Sequence, residues 1–269
     1  MNIASENPWD LRDISWSIAA GSVASDGVHM KAEHLINNVN YYLKLSRYDS
    51  FLGIYGHESV NELIVSRLGK LLGFNVPEGQ LKRCIVRVDD VDHDTYVFMA
   101  KSFKRAGSRT AFEGFYVDNR ITENESPLEL CKRFGWTDYI NKMFIFDYLI
   151  INRDRHGANL EVMKNGGKRL SPYFDNGLSF VCSCMDEADL AAFDIMEDRP
   201  VNNFIGEKRL ALNIAGISDG LVFNELRQSD RDLLFEGLKD VLSDLYLTTI
   251  WDIIWRRWGD VKKFRITRW

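Results

Sequence analysis

Cysteine is scarce: four residues in 269, at positions 84, 131, 182 and 184. So few, so unevenly spaced, cannot form the disulfide framework of a small secreted domain. Cys182 and Cys184 make a C-x-C pair with no matching second pair, which is weak as a zinc site, so reduced thiols in the cytoplasm are the expectation. Long apolar runs are lacking too. The longest candidate, Met143 to Ile151, is broken by Asp147 and falls well short of the roughly 20 residues of a membrane span. The start, MNIASENPWDLRD, has neither the basic residues nor the apolar stretch of a secretory signal. Positive charge is in deficit, with a net charge of −5 and a pI of about 5.6, which argues against a chain whose main business is binding nucleic acid directly. No repeat or low-complexity segment is present. What remains is a globular chain, 45% hydrophobic and long enough for one large domain or two lobes sharing a cleft.

The densest chemistry lies between Asn152 and Phe180, NRDRHGANLEVMKNGGKRLSPYFDNGLSF. Asp154 and Asn159 are five positions apart in D-R-H-G-A-N. Leu160 to Met163 reads as a strand, Asn165-Gly166-Gly167 as a turn, and the run into Pro172-Tyr173-Phe174 as a second strand with Asp175 at its end. Such a hairpin would gather Asp154, Asn159 and Asp175 at one end of a small sheet. Phosphoryl transfer uses that set: one carboxylate to accept or orient the hydroxyl proton, and an amide oxygen with a second carboxylate to hold Mg²⁺, a hard cation that prefers oxygen, against the phosphates of ATP. The bland alternative is a polar loop joining a helix to a hairpin.

Upstream, Ile14 to Ala20 reads as a strand running into the loop Gly21-Ser22-Val23-Ala24-Ser25-Asp26-Gly27, with a second strand beginning at Val28. Backbone amides and hydroxyls in such a hairpin can meet phosphates. The P-loop pattern is absent, and an ordinary turn is the competing view. Val39 to Leu45 alternates at strand period and places Lys44 near the strand's end, where it could simply snorkel to solvent and contribute little packing. His57 to Leu72 carries apolar residues at helical spacing, with Gly73 as a stop. Glu58 and Glu62 lie one turn apart on its other face, and Ser66 and Gly69 are small enough to let that face approach a sheet. Two solvated glutamates would fit equally.

The remainder divides simply. Gln80–Val88 and Thr95–Ala100 read as strands joined by the acidic turn Asp89–Asp94, and residues 1–12 as a polar lead-in. Gly107 to Glu125 reads as a polar connector. Helices are expected over Pro127–Phe134, Thr137–Ile151, Val222–Arg227, Ser229–Leu247 and Thr249–Trp258.

The segments FDYLIINRDRHGANLEV, LSPYFDNGLSF and VNELIVSRLGKLLGF resemble the HipA-like serine/threonine protein kinases, and D-R-H-x-x-N is also similar to phosphoinositide kinases. The resemblance implies an α+β, two-lobed protein-kinase-like fold, with residues 1–104 as a strand-rich N-lobe and 105–269 as a mainly helical C-lobe. It implies Asp154 as the catalytic acid–base residue, Asn159 and Asp175 as Mg²⁺ ligands, Lys44 on the ATP phosphates with Glu62 as its partner, and Gly21 to Gly27 as the loop over the nucleotide. Ser22 and Ser25, with Ser17 just upstream, are its candidates for autophosphorylation. Lys101 to Arg105 becomes the hinge beside the adenine. Arg155 and His156 match D-R-H, with loop-shaping and chemistry both open to them. Longer members carry an N-terminal subdomain for which only about a dozen residues precede the first strand here. The implied partners are a protein substrate, of the translation apparatus if the chain is a toxin, and an antitoxin protein; no membrane contact is expected. A kinase for a lipid or small molecule, and a non-catalytic nucleotide-binding module, are the other readings.

Overall fold

A computed structural model describes residues 2–18, 28–103, 109–164 and 166–265 of the chain. The N-terminal half is built from β1 (Trp9–Leu11), β2 (Ser17–Ile18), β3 (Val28–Ile36), β4 (Val39–Asp49), β5 (Gly53–Tyr55), helix α1 (Glu58–Leu72), β6 (Gly79–Val88) and β7 (Val91–Lys101). These strands form one sheet in the order β1-β6-β7-β4-β3-β2, with β5 on a further edge of β4. All pairings are antiparallel except β1 with β6. One face of the curled sheet closes on its own core of Leu11, Met30, Leu43, Leu45, Val86 and Met99. The other face takes α1.

Helix α1 is buried almost all round because it lies between that sheet and the C-terminal half. Leu81, Phe98 and Ala100 from the sheet, Leu63, Leu68 and Leu72 from α1, and Phe146 and Tyr173 from beyond share one continuous core. Gly73 ends the helix in the left-handed conformation that glycine adopts without penalty, φ 75°, and donates its N–H to Gly69 O. Gly69 has a packing reason: a Cβ there would meet both methyls and the Cβ of Val76 within 3.1 Å.

The C-terminal half contains β8 (Arg109–Ala111), α2 (Phe112–Asn119), α3 (Pro127–Arg133), α4 (Thr137–Ile150), β9 (Asp154–Arg155), β10 (Glu161–Met163), β11 (Arg169–Leu170), α5 (Glu187–Ala192), β12 (Asn202–Asn203), α6 (Leu210–Ala215), α7 (Asp230–Leu234) and α8 (Asp244–Val261). Helix α3 begins with the capping box its sequence announces, Ser126 and Glu129 satisfying each other's backbone. Helix α4 delivers the Asn152–Phe180 stretch from a rigid, buried stem. No helix among the described residues is long and apolar enough to cross a membrane.

Several expectations need correction. The lead-in contains β1. The acidic turn is only Asp89-Asp90, both at positive φ of 49° and 62° as a two-residue hairpin requires, while Val91–Asp94 belong to β7. The supposed connector holds β8, which pairs with β10, and α2. Val222–Arg227 is not a helix, and the helical stretch over Ser229–Leu247 breaks after α7, where Gly237 (φ 76°) and Asp240 (φ 70°) turn left-handed.

Candidate active site

The residues that spacing brought forward come from β4, α1 and β9 and from the loops that hold Asn159 and Asp175. Lys44 stands inside β4, opposite Phe98 of β7 and Lys31 of β3, not near a strand end, and it is buried at 8% exposure. Its ammonium ion-pairs with Glu62 of α1 and with Asp175 Oδ1 at 2.8 Å. Snorkelling to solvent is therefore excluded. Glu62 is not solvated either; it also accepts the backbone N–H of Asn176 at 2.8 Å. One helical turn earlier, Glu58 is buried against Arg47, whose Nη2 donates to Cys182 O at 2.5 Å. Sequence reading missed that second pair, because Arg47 lies beyond the strand boundary it drew.

Asp175 sits outside any strand, five residues past β11, in a left-handed conformation with φ 60° that Asp tolerates better than most residues. The reading that placed it directly at the end of the second strand is corrected: β11 covers only Arg169–Leu170. Desolvation in the cleft pushes its carboxyl up, but the Lys44 charge and hydrogen bond prevail and hold it down at about 2. Lys44 is moved the other way, above its usual value: desolvation would lower it, and Asp175 and Glu62 outweigh that.

Beneath the site lies a buried polar scaffold centred on Arg155. Its guanidinium grips Asp147 of α4 through Nε at 3.1 Å and Nη2 at 2.8 Å, a bidentate geometry that only Arg provides. The remaining N–H groups reach Asn159 O at 3.1 Å, Phe174 O at 2.8 Å and Asn176 Oδ1 at 2.7 Å. One side chain thereby ties the Asp154–Asn159 loop to the Asp175 loop. Loop shape, not chemistry, is the work of Arg155.

Asp154 lies on β9 with its side chain about a quarter exposed, at 25%. Its Oδ1 accepts from Asn202 Nδ2 at 2.9 Å, and its Oδ2 faces His156 Nε2 at 3.7 Å. Asn159 is buried, and its Nδ2 donates to Asp154 O at 2.9 Å, which turns the amide oxygen the other way. Gly21, Ser22, Ser25 and Gly27 lie outside the described residues. The strands on either side of them, β2 and β3, pair antiparallel as a hairpin.

A cleft of about 380 Å³, open mouth included, runs from Lys44, Glu62 and Asp175 to an apolar end formed by Tyr42, Pro77, Phe98, Ala100, Phe103 and Phe174. Lys101, Ser102 and Phe103, the expected hinge, line it, and Phe103 meets Phe174 with ring centroids 5.4 Å apart. Two carboxylates around one ammonium leave the polar end with an excess negative charge. Among the described residues no three His, Cys, Asp or Glu side chains gather as a metal site. Asp175 and Asn159 offer one carboxylate and one amide oxygen; Mg²⁺ is commonly held by one or two carboxylates with substrate phosphates completing its shell.

No protein-family model matches the sequence, and neither does any curated protein. Among solved structures, the crystal structure of a proinflammatory kinase of Helicobacter pylori, CtkA, superposes with a TM-score of 0.59 over 94% of both chains, at 14% identity. The fold is that of a two-lobed protein kinase. A mutant PAN3 pseudokinase of Neurospora crassa also aligns over 94% of this chain and 60% of its own, at 11% identity, but its TM-score of 0.35 carries no argument. In a kinase-type fold the cleft between the lobes is the place for a nucleoside triphosphate and its metal.

Proposed function

We propose that this chain is an ATP-dependent serine/threonine protein kinase of HipA type. The observation that carries the reading is the buried contact of Lys44 with both Glu62 and Asp175 at the polar end of an apolar cleft. In this reading Lys44, fixed by Glu62, neutralises the α- and β-phosphates of ATP, the apolar end takes the adenine, and Asn159 and Asp175 hold Mg²⁺. Mg²⁺ bound there would offset the charge that builds on the phosphate oxygens. Asp154 accepts or orients the proton of the incoming hydroxyl.

The D-R-H-G-A-N and F-D-N-G segments support the HipA-type reading. With it come a protein substrate, one of the translation apparatus, and an antitoxin partner, together with autophosphorylation of Ser22 or Ser25 in the Gly21–Gly27 loop. A phosphate there adds about −1.5 to −2 charges beside the triphosphate and so weakens ATP binding, an off-switch.

Incubation of the protein with labelled ATP and Mg²⁺, followed by phosphosite mapping, tests the kinase activity, its acceptor class and the autophosphorylation. Phosphoserine or phosphothreonine in protein acceptors is expected, with Ser22 or Ser25 modified in the active enzyme and unmodified in Asp154→Asn. Label confined to lipid or small molecules would replace the protein-kinase reading, and nucleotide bound with no transfer would make the chain a binding module.

A further inference from the structure

Asn202 stands 48 positions after Asp154, on β12, which pairs in parallel with β9 so that the two residues are register partners. Its Nδ2 donates to Asp154 Oδ1 at 2.9 Å. Oδ2 is placed differently. His156 Nε2 is 3.7 Å away, beyond hydrogen-bond distance, and His156 Nδ1 accepts the N–H of Ala158 at 3.1 Å. Among the described residues the carboxylate therefore has one oxygen held by a hydrogen bond and the other without one.

We propose that Asn202 is a positioning residue for phosphoryl transfer: it holds Oδ1 so that Oδ2 of Asp154 is presented to the acceptor hydroxyl. The proposal rests on the kinase reading above. In the step, the acceptor oxygen bonds to the γ-phosphorus while the bond from that phosphorus to the β–γ bridging oxygen breaks. ADP leaves with the electron pair, and the hydroxyl proton passes to Oδ2. Misplacing a reacting group by about 1 Å can cost on the order of 100-fold in rate, so a carboxylate free to rotate is a poor base.

The Asn202 side chain has no evident structural task. It is exposed, whereas its neighbour Asn203 is buried and accepts the N–H groups of Ile205 and Gly206, both at 3.0 Å. The strand is held by backbone bonds, Asn202 N to Arg153 O at 2.9 Å and Phe204 N to Arg155 O at 3.1 Å. Successive strand residues point to opposite sides. Asn203 serves the fold and Asn202 faces the carboxylate.

Wild type, Asp154→Asn, Asn202→Ala and Asn202→Asp are compared with labelled MgATP, using dephosphorylated casein and the chain itself as acceptors. Asn202→Asp keeps the shape, removes the donor and sets a second negative charge against Asp154 Oδ1. Asn202→Ala should lower kcat about 10- to 100-fold with KM for ATP within about twofold, and Asn202→Asp should be lower still. Both should melt within about 2 °C of wild type. With Asp154→Asn inactive, wild-type kcat in both Asn202 variants overturns the positioning role alone, and so does a fall in kcat that tracks a fall in Tm. Asp154→Asn active at the wild-type rate, or a wild type that labels neither acceptor, removes the kinase reading and this inference with it.

Discussion

At the scale of single residues, the candidates were more legible than their surroundings. Asp154 and Asn159 stood out because they lie five positions apart, on β9 and just after it, and Asp175 because a short hairpin precedes it. Lys44 was readable as a candidate, but its setting was not. A strand ended at Leu45 makes it expendable, whereas β4 continues to Asp49 and buries it between two carboxylates that stand 18 and 131 positions away. The expectation that Lys44 contributes little to stability is therefore revised. Removing one partner of a buried pair costs about 3–5 kcal/mol. Asp175 keeps a third of its side chain in solvent, at 33%, and screening reduces the figure to about 2–3 kcal/mol for Lys44→Met. The sign with pH follows from Asp175. Its folded-state value of about 2 lies below the ordinary value near 3.9, so its stabilisation is present above about pH 4 and is lost as pH falls through about 2. In Lys44→Met the Asp175 carboxyl loses the cation that holds it down and takes up its proton at higher pH, which relieves the unpaired charge. Thermal melts should show a deficit of about 5–10 °C at pH 7 that shrinks toward pH 3. An equal deficit at both would mean that Lys44 acts through packing alone.

At the scale of elements, periodicity found α1, α3, α4, β6 and much of β4 because each is long or capped. Short elements escaped it. Strand β8 is three residues and β12 two, and their pairing with β10 and β9 is a property of distant chain, not of local pattern. The opposite error occurred over Ser229–Leu247, where buried Leu234, Leu238 and Leu242 repeat at helical spacing through turns that Gly237 and Asp240 impose. Phe223 and Leu226 are buried from irregular chain, and Asn224 there donates its N–H to Leu72 O and its Nδ2 to Leu71 O, both at 2.8 Å. At the other end, Asn61 donates to Gly177 O and Ser179 O, both at 3.0 Å. Helix α1 is thus fastened to the C-terminal half at both ends, and Glu62 is held in reach of Lys44. Gly69→Ala tests that seat. Alanine gains about 1 kcal/mol in helix propensity. Against this, rotation of Val76 only exchanges one methyl for the other, since both lie within 3.1 Å of the added Cβ, and overpacking costs about 1–3 kcal/mol. Denaturant melts should show a net loss of up to about 2 kcal/mol and weaker ATP binding. A stabilised variant would mean that the helix can move away without consequence.

At the scale of the whole molecule, the two-lobed architecture was legible because strand-rich and helix-rich halves follow one another in sequence. The fit of the halves was not, because it depends on polar contacts such as Asn61 to Gly177 O and Arg47 to Cys182 O that no periodicity announces. The central claim is that the cleft transfers phosphate from ATP with Asp154 and Asp175 in separate roles. The direct measurement is the rate of labelled γ-phosphate transfer by wild type, Asp154→Asn and Asp175→Asn, with MgATP affinity and thermal melting recorded on the same samples. Both variants should remain folded and lose about two orders of magnitude or more in rate. Asp154→Asn should bind MgATP as wild type does, and Asp175→Asn more weakly. Near-wild-type transfer by either folded variant would contradict the account.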